Sequence, residues 1–173
     1  MYIFVHLPKT GGTSLRISLA VSLGWDKLLY DYGRTEKLTS SLIRKWVYEK
    51  KDVQGLVDEA TAQGHRAICG HFRIARYLDA LPDARYITWM REPSARVWSA
   101  YRHYCRNDGY SGSLEEFFTT PEHQNVQSRF MGEDLSHFDF IGVTERYTES
   151  ISRLSSQLGF ELPERRTDLL PIG

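Results

Sequence analysis

The sequence is short of several things, and each shortage closes off a class of protein. Of 173 residues only 2 are cysteine. Cys69 and Cys105 each lie in an apolar or aromatic segment, so two free thiols are expected rather than a disulfide scaffold. No His, Cys, Asp or Glu spacing resembles a metal site. Six prolines and 13 glycines are too few for a collagen-like or low-complexity chain. Neither sign of charge is in excess, since Lys+Arg and Asp+Glu both total 22. The basic footprint of a nucleic-acid coat is therefore missing, and no nucleic-acid partner is expected. No run approaches the about 20 apolar residues of a membrane span; ISLAVSLGW (17–25) comes nearest and is broken by serines. The start, MYIFVHLPK, lacks the basic region of a secretory signal. A cytoplasmic chain with no membrane partner is expected.

What is present suits a packed domain. Hydrophobic residues make up 41% of the chain, and a chain of this length can bury about 70% of its unfolded surface. Residues 1–173 read as one domain. Four apolar segments read as strands: 2–6 (YIFVH), 66–69 (RAIC), 85–90 (RYITWM) and 138–143 (FDFIGV). The first and third are near-continuous and rich in β-branched and aromatic residues, as in parallel strands covered on both faces. Helical patterns are predicted at 13–23, 40–51, 53–63, 93–107, 114–118, 122–131 and 147–158. Segments 24–38 and 106–113 read as loops, the second a mobile lid, and the tail after Gly159 shows no clear element. Strands alternating with helices predict an α/β fold, a three-layer sandwich around a central parallel sheet with right-handed crossovers.

Two segments carry chemistry. In IFVHLPKTGGTS (3–14) a buried strand runs into a Gly-containing turn and a helix opens on Thr13 and Ser14. Gly11 and Gly12 let the backbone approach an anion without a Cβ in the way, and the helix start supplies free N–H groups and a positive field. Lys9 adds a charge; Thr10, Thr13 and Ser14 add hydroxyls. The pattern is a phosphate cradle, but Lys9 precedes the glycines, unlike the Walker loop of ATP-binding proteins. In RYITWMREPSARVWSAY (85–101), Arg91 ends a strand and Ser99 follows two helical turns later. A guanidinium and a hydroxyl converging at a strand end suit a second phosphate, although Arg91 beside Glu92 also reads as a surface ion pair.

The two segments together resemble a known family, the sulfotransferases that use 3′-phosphoadenosine 5′-phosphosulfate (PAPS) and release 3′-phosphoadenosine 5′-phosphate (PAP). PKTGGTS (8–14) is similar to their 5′-phosphosulfate loop and REPSARVWSAY (91–101) to their 3′-phosphate motif. GHF (70–72), NVQSRFMG (125–132) and FDFIGVTERYTES (138–150) resemble the carbohydrate-type branch, sulfotransferase family 2-like. The resemblance implies that Lys9, Thr10, Gly11, Gly12, Thr13 and Ser14 hold the 5′-phosphosulfate, and Arg91 and Ser99 the 3′-phosphate. It implies in-line transfer to an acceptor hydroxyl or amine, on a carbohydrate or small molecule, with no metal required. Relatives continue further with a loop and helix that help enclose the nucleotide; a minimal version, or a chain lacking a C-terminal portion, is expected.

An acceptor hydroxyl must lose a proton, and histidine suits that near neutral pH. His71 in CGHF, after a strand, is the favoured base, with His6 in reserve; His65, His103, His123 and His137 read as surface residues. Arg73, Arg76, Asn125, Gln127 and Arg129 read either as a polar wall on the substrate side or as solvated helix faces. Two other functions fit the sequence less well: a non-catalytic nucleotide-binding module, and a P-loop kinase or NTPase.

Overall fold

The computed structural model describes residues 1–164; Arg165, Arg166 and the final LLPIG lie outside the described residues. Five parallel strands form one sheet: β1 (Tyr2–Val5), β2 (Leu28–Asp31), β3 (Ala67–Gly70), β4 (Arg85–Met90) and β5 (Phe140–Val143), in the order β2-β3-β1-β4-β5. The helices are α1 (Gly12–Leu23), α2 (Ser41–Ile43), α3 (Val53–Ala62), α4 (Ala75–Leu78), α5 (Pro93–Asn107), α6 (Leu114–Thr119), α7 (Val126–Met131) and α8 (Tyr147–Leu158). The predicted three-layer α/β sandwich is what forms.

Alternation along the strands divides the core. Ile3, Val5, Ile68 and Tyr86 point to one face, under residues of α3, α4 and α7 such as Leu56, Tyr77 and Met131. Phe4, Cys69, Ile87 and Trp89 point to the other, under Leu15 and Leu19 of α1 and Ile151 and Leu154 of α8. Both faces are covered, so the strands need no polar side, and β1 and β4 read as near-continuous apolar runs. Both cysteines are free, as expected, and burial pushes the Cys69 thiol up to about 12.

Two expectations are corrected. The 24–38 segment is no plain loop, because Leu28–Asp31 pairs with β3 as the edge strand β2. The helix expected over 122–131 is broken at Asn125, whose φ of 49° is left-handed; a short turn at Pro121–His123 precedes it and α7 follows. The 40–51 helix forms as α2 and then widens into a π-helical stretch, Arg44–Glu49. Among the described residues no helix is long and apolar enough to cross a membrane.

From β1 the chain crosses toward β2, and from β4 it crosses toward β5. The connections leaving these two neighbouring strands therefore diverge, and a crevice opens at their carboxyl ends, the place where open α/β sheets bind ligands.

Candidate active site

Lys9 and Arg91 follow the two strands that flank this crevice. Lys9 has a left-handed φ of 68°, and Gly11 a φ of 79° immediately before α1. Left-handed backbone is costly for a residue with a Cβ, so the turn is held by its surroundings. Thr144, just past β5, donates from Oγ1 to the carbonyls of Thr10 (2.6 Å) and Met90 (2.8 Å). Arg91 Nη1 approaches the Lys9 carbonyl at 3.4 Å. The two segments separated in sequence thus meet. No side chain caps α1; the Ser14 N–H donates to the carbonyl of Gly11, the residue at the cap, at 3.1 Å, and this helix start lies at the crevice.

A cavity of about 840 Å³ opens over this point, and Lys9, Gly11, Gly12, Thr13, Ser14, Arg91, Ser99, His6 and His71 all line it. Thr10 does not. Its side chain is fully buried and its hydroxyl donates to the Leu7 carbonyl at 2.9 Å, so that hydroxyl secures the turn rather than facing the cavity. Gly12 is crowded on one side by the His6 ring, where a Cβ would collide.

Arg91 is held from behind. Its backbone N–H donates to Gln127 Oε1 and its carbonyl accepts from Gln127 Nε2, both at 2.9 Å. Its Nε is buried and finds no hydrogen-bond partner among the described residues. The ion pair with Glu92 does not form: Glu92 instead caps α5, accepting from the N–H groups of Ser94 and Ala95. Arg96, 4% exposed, donates to the His123 carbonyl at 3.1 Å and lines the same cavity.

His71 and His6 lie on the opposite side of the cradle from Arg91. Their rings meet edge to face at 4.7 Å, and Tyr32 closes the group, 4.6 Å from His71 and 5.7 Å from His6. His6 Nδ1 shares a 2.8 Å hydrogen bond with the Tyr32 hydroxyl, while the other edge of its ring packs against Gly12. His71 Nε2 is buried without a hydrogen-bond partner among the described residues. Burial, then the charge of Arg16, pushes His71 down to about 4. His6 is also lowered, by burial first and then by His71, Arg16 and Lys9. Both are neutral near pH 7, the form that accepts a proton. Burial, with Arg106 and Arg91 nearby, lowers Lys9.

Several side chains lie where the sequence did not put them. His103 and His123 line the cavity instead of the outer surface, His123 stacked on Phe117 with centroids 3.6 Å apart. Arg76 is no part of the cavity wall; it is paired with Asp31 Oδ2 at 2.7 Å. Gln127 serves Arg91, Asn125 turns the chain into α7, and Arg129 lines the cavity. Tyr32 and Arg16 are lining residues that no motif marked, and Phe130, within the NVQSRFMG segment, lines the cavity too. Five cationic side chains line the cavity (Lys9, Arg16, Arg91, Arg96, Arg129) against one carboxylate, Glu122.

Neither a family model nor a curated protein sequence matches the chain. Solved structures do. A sulfotransferase from Alicyclobacillus acidocaldarius superposes with a TM-score of 0.60 at 17% identity, over 99% of this chain and 85% of that one. A mouse sulfotransferase complexed with PAP gives 0.57 at 12% identity, over 94% of this chain and 58% of that one. The fold is shared. At these identities the likeness speaks for the architecture, and function has to be argued from the site.

Proposed function

We propose that this chain is a sulfotransferase that moves the sulfuryl group of PAPS to an acceptor hydroxyl or amine, on a carbohydrate or small molecule. One observation carries the reading: a lysine-bearing glycine turn at the start of α1 and the strand-end Arg91 share one cavity, touching at 3.4 Å, with a neutral histidine across from them. The two neighbours above are named sulfotransferases, and one was solved with PAP, which agrees with it.

The residues fit the donor. Gly11 and the first N–H groups of α1 offer a 5′-phosphosulfate backbone donors, and Arg91, with its unpartnered Nε, and Ser99 offer a 3′-phosphate charge-assisted ones. When bound, PAPS supplies a sulfuryl group already attached to a phosphate leaving group. Lys9 sets a positive charge beside the oxygen where negative charge grows, a fixed arrangement that needs no reorganisation during reaction. His71 accepts the acceptor's proton. His6, braced by Tyr32 and packed on Gly12, holds the wall between base and cradle and is the reserve base. In-line displacement needs the attacking oxygen, from which His71 takes the proton, opposite the departing 5′-phosphate oxygen held at the cradle.

The test is calorimetric titration with PAP, with 5′-AMP, and with ATP plus Mg²⁺, followed by transfer assays with PAPS. PAP is expected to bind about tenfold or more tighter than 5′-AMP, because only PAP reaches Arg91 and Ser99. Binding of ATP with Mg²⁺ in preference to PAP would overturn the reading in favour of a kinase or NTPase. PAP binding without transfer to any acceptor would leave a nucleotide-binding module.

A further inference from the structure

Arg16 has no task in the chemistry above. It lies in α1, two residues beyond Ser14, and reaches across the sheet face to β2. Its guanidinium carbon sits 5.5 Å from the Tyr30 ring centroid and 5.9 Å from that of Tyr32. No carboxylate pairs with it among the described residues. Asp31, between the two tyrosines in sequence, points to the other face of the sheet, where Arg76, Tyr48 and Tyr77 fill its oxygens.

The surroundings of Arg16 are unsatisfied in a consistent way. Arg16 Nε, the Tyr30 hydroxyl and His71 Nε2 are all buried without hydrogen-bond partners among the described residues. Tyr32, its hydroxyl bonded to His6 Nδ1, lies under the Arg16 guanidinium and in ring contact with His71. Buried polar atoms in native proteins are nearly always paired, and a part-buried cation without a counter-charge is unfavourable. Arg16 and His71 line one edge of the cavity, and a guanidinium with no carboxylate beside it there suits an anionic group.

Position says which anion. Strand order puts the cradle in the middle: Arg91 and Ser99 stand on the β4 side, Arg16, Tyr32 and His71 on the β2–β3 side. The nucleotide's phosphates have Lys9 and Arg91. Arg16 is left facing whatever His71 deprotonates. We propose that Arg16 is a specificity residue for the acceptor, and that the acceptor is a hydroxyl compound carrying a negative charge, such as a carboxylate. Tyr32 and Phe130 supply an aromatic wall beside it. The proposal rests on the sulfuryl-transfer reading.

The probes are 4-hydroxybenzoate and its uncharged isostere 4-hydroxybenzamide, titrated calorimetrically into wild type, Arg16→Gln and Arg16→Lys, each saturated with PAP. The acid is expected to bind wild type about tenfold or more tighter than the amide. Arg16→Gln is expected to erase that preference and Arg16→Lys to keep part of it, with PAP affinity within about twofold throughout. Circular dichroism of each variant checks the fold. Absence of a preference in wild type, or a preference that survives Arg16→Gln, would overturn the proposal. If PAP itself does not bind, the transfer reading falls. The same acid–amide comparison on the free chain then still shows whether Arg16 holds an anion.

Discussion

Lys9 works through its backbone as well as its ammonium. Its left-handed φ turns the carbonyl toward Arg91 and the chain toward α1. Lys9→Ala and Lys9→Gly are both expected to cut PAPS-dependent transfer by at least about 10²-fold. Lys9→Gly should nevertheless melt above Lys9→Ala, by about 0.5–1 kcal/mol, because glycine takes this conformation freely. His71→Ala should slow transfer by about 10²–10⁴-fold; a rate within a few fold of wild type would move the proton to His6. The same histidine links stability to pH. Folded, His71 titrates at about 4 against an ordinary 6.5, so the unfolded chain takes up the proton first as pH falls. Stability should therefore be lost as pH drops from 6.5 toward 4 and be fully present above 6.5. Urea midpoints at pH 7 and pH 5, compared with those of His71→Phe, check this. Lys9, Gly11, Gly12, Arg91 and Ser99 were legible because spacing alone marks a loop and a strand end. Arg16 and Tyr32 were not, since their meeting depends on how far α1 reaches toward β2.

At the scale of elements, β2 shows why a short edge strand escapes the sequence. LLYD is only four residues long, and it ends on an aspartate, which reads as a turn signal. Here that aspartate is fully buried and bound by three partners: Arg76 at 2.7 Å, Tyr77 at 2.8 Å and Tyr48 at 2.6 Å. The π-helical stretch, carrying Tyr48, and α4, carrying Arg76 and Tyr77, are thereby tied to the end of β2. Asp31→Ala should cost about 3–5 kcal/mol in chemical unfolding, because it leaves Arg76 without its counter-charge. As β2 also carries Tyr32 at its end, PAP binding should suffer less than acceptor turnover. Asn125 is the converse case. Apolar spacing over 122–131 favours one helix, and only the left-handed φ at Asn125, a tertiary outcome, places Gln127 against Arg91.

For the whole molecule, alternation of strands and helices was enough to foresee the sandwich, because buried parallel strands leave a plain apolar signature. The strand order was not foreseeable, since no local pattern records which strands become neighbours. That order brings residues distant in sequence to one edge of the sheet and makes the cavity wall cationic. The chain as a whole is formally neutral, so a lining with five cations and one carboxylate leaves the other residues of the sequence with a net formal charge of minus four. The cleft is therefore a local cationic site in a chain whose pI is near 7. Such a lining is expected to draw an anion toward the mouth of the cleft before it makes contact. Association of PAP in stopped-flow measurements should slow several-fold between about 0.01 M and 0.15 M salt, as the screening length falls from about 30 Å to about 8 Å. A chain of balanced charge would thus capture its donor with the salt sensitivity usually met in basic proteins.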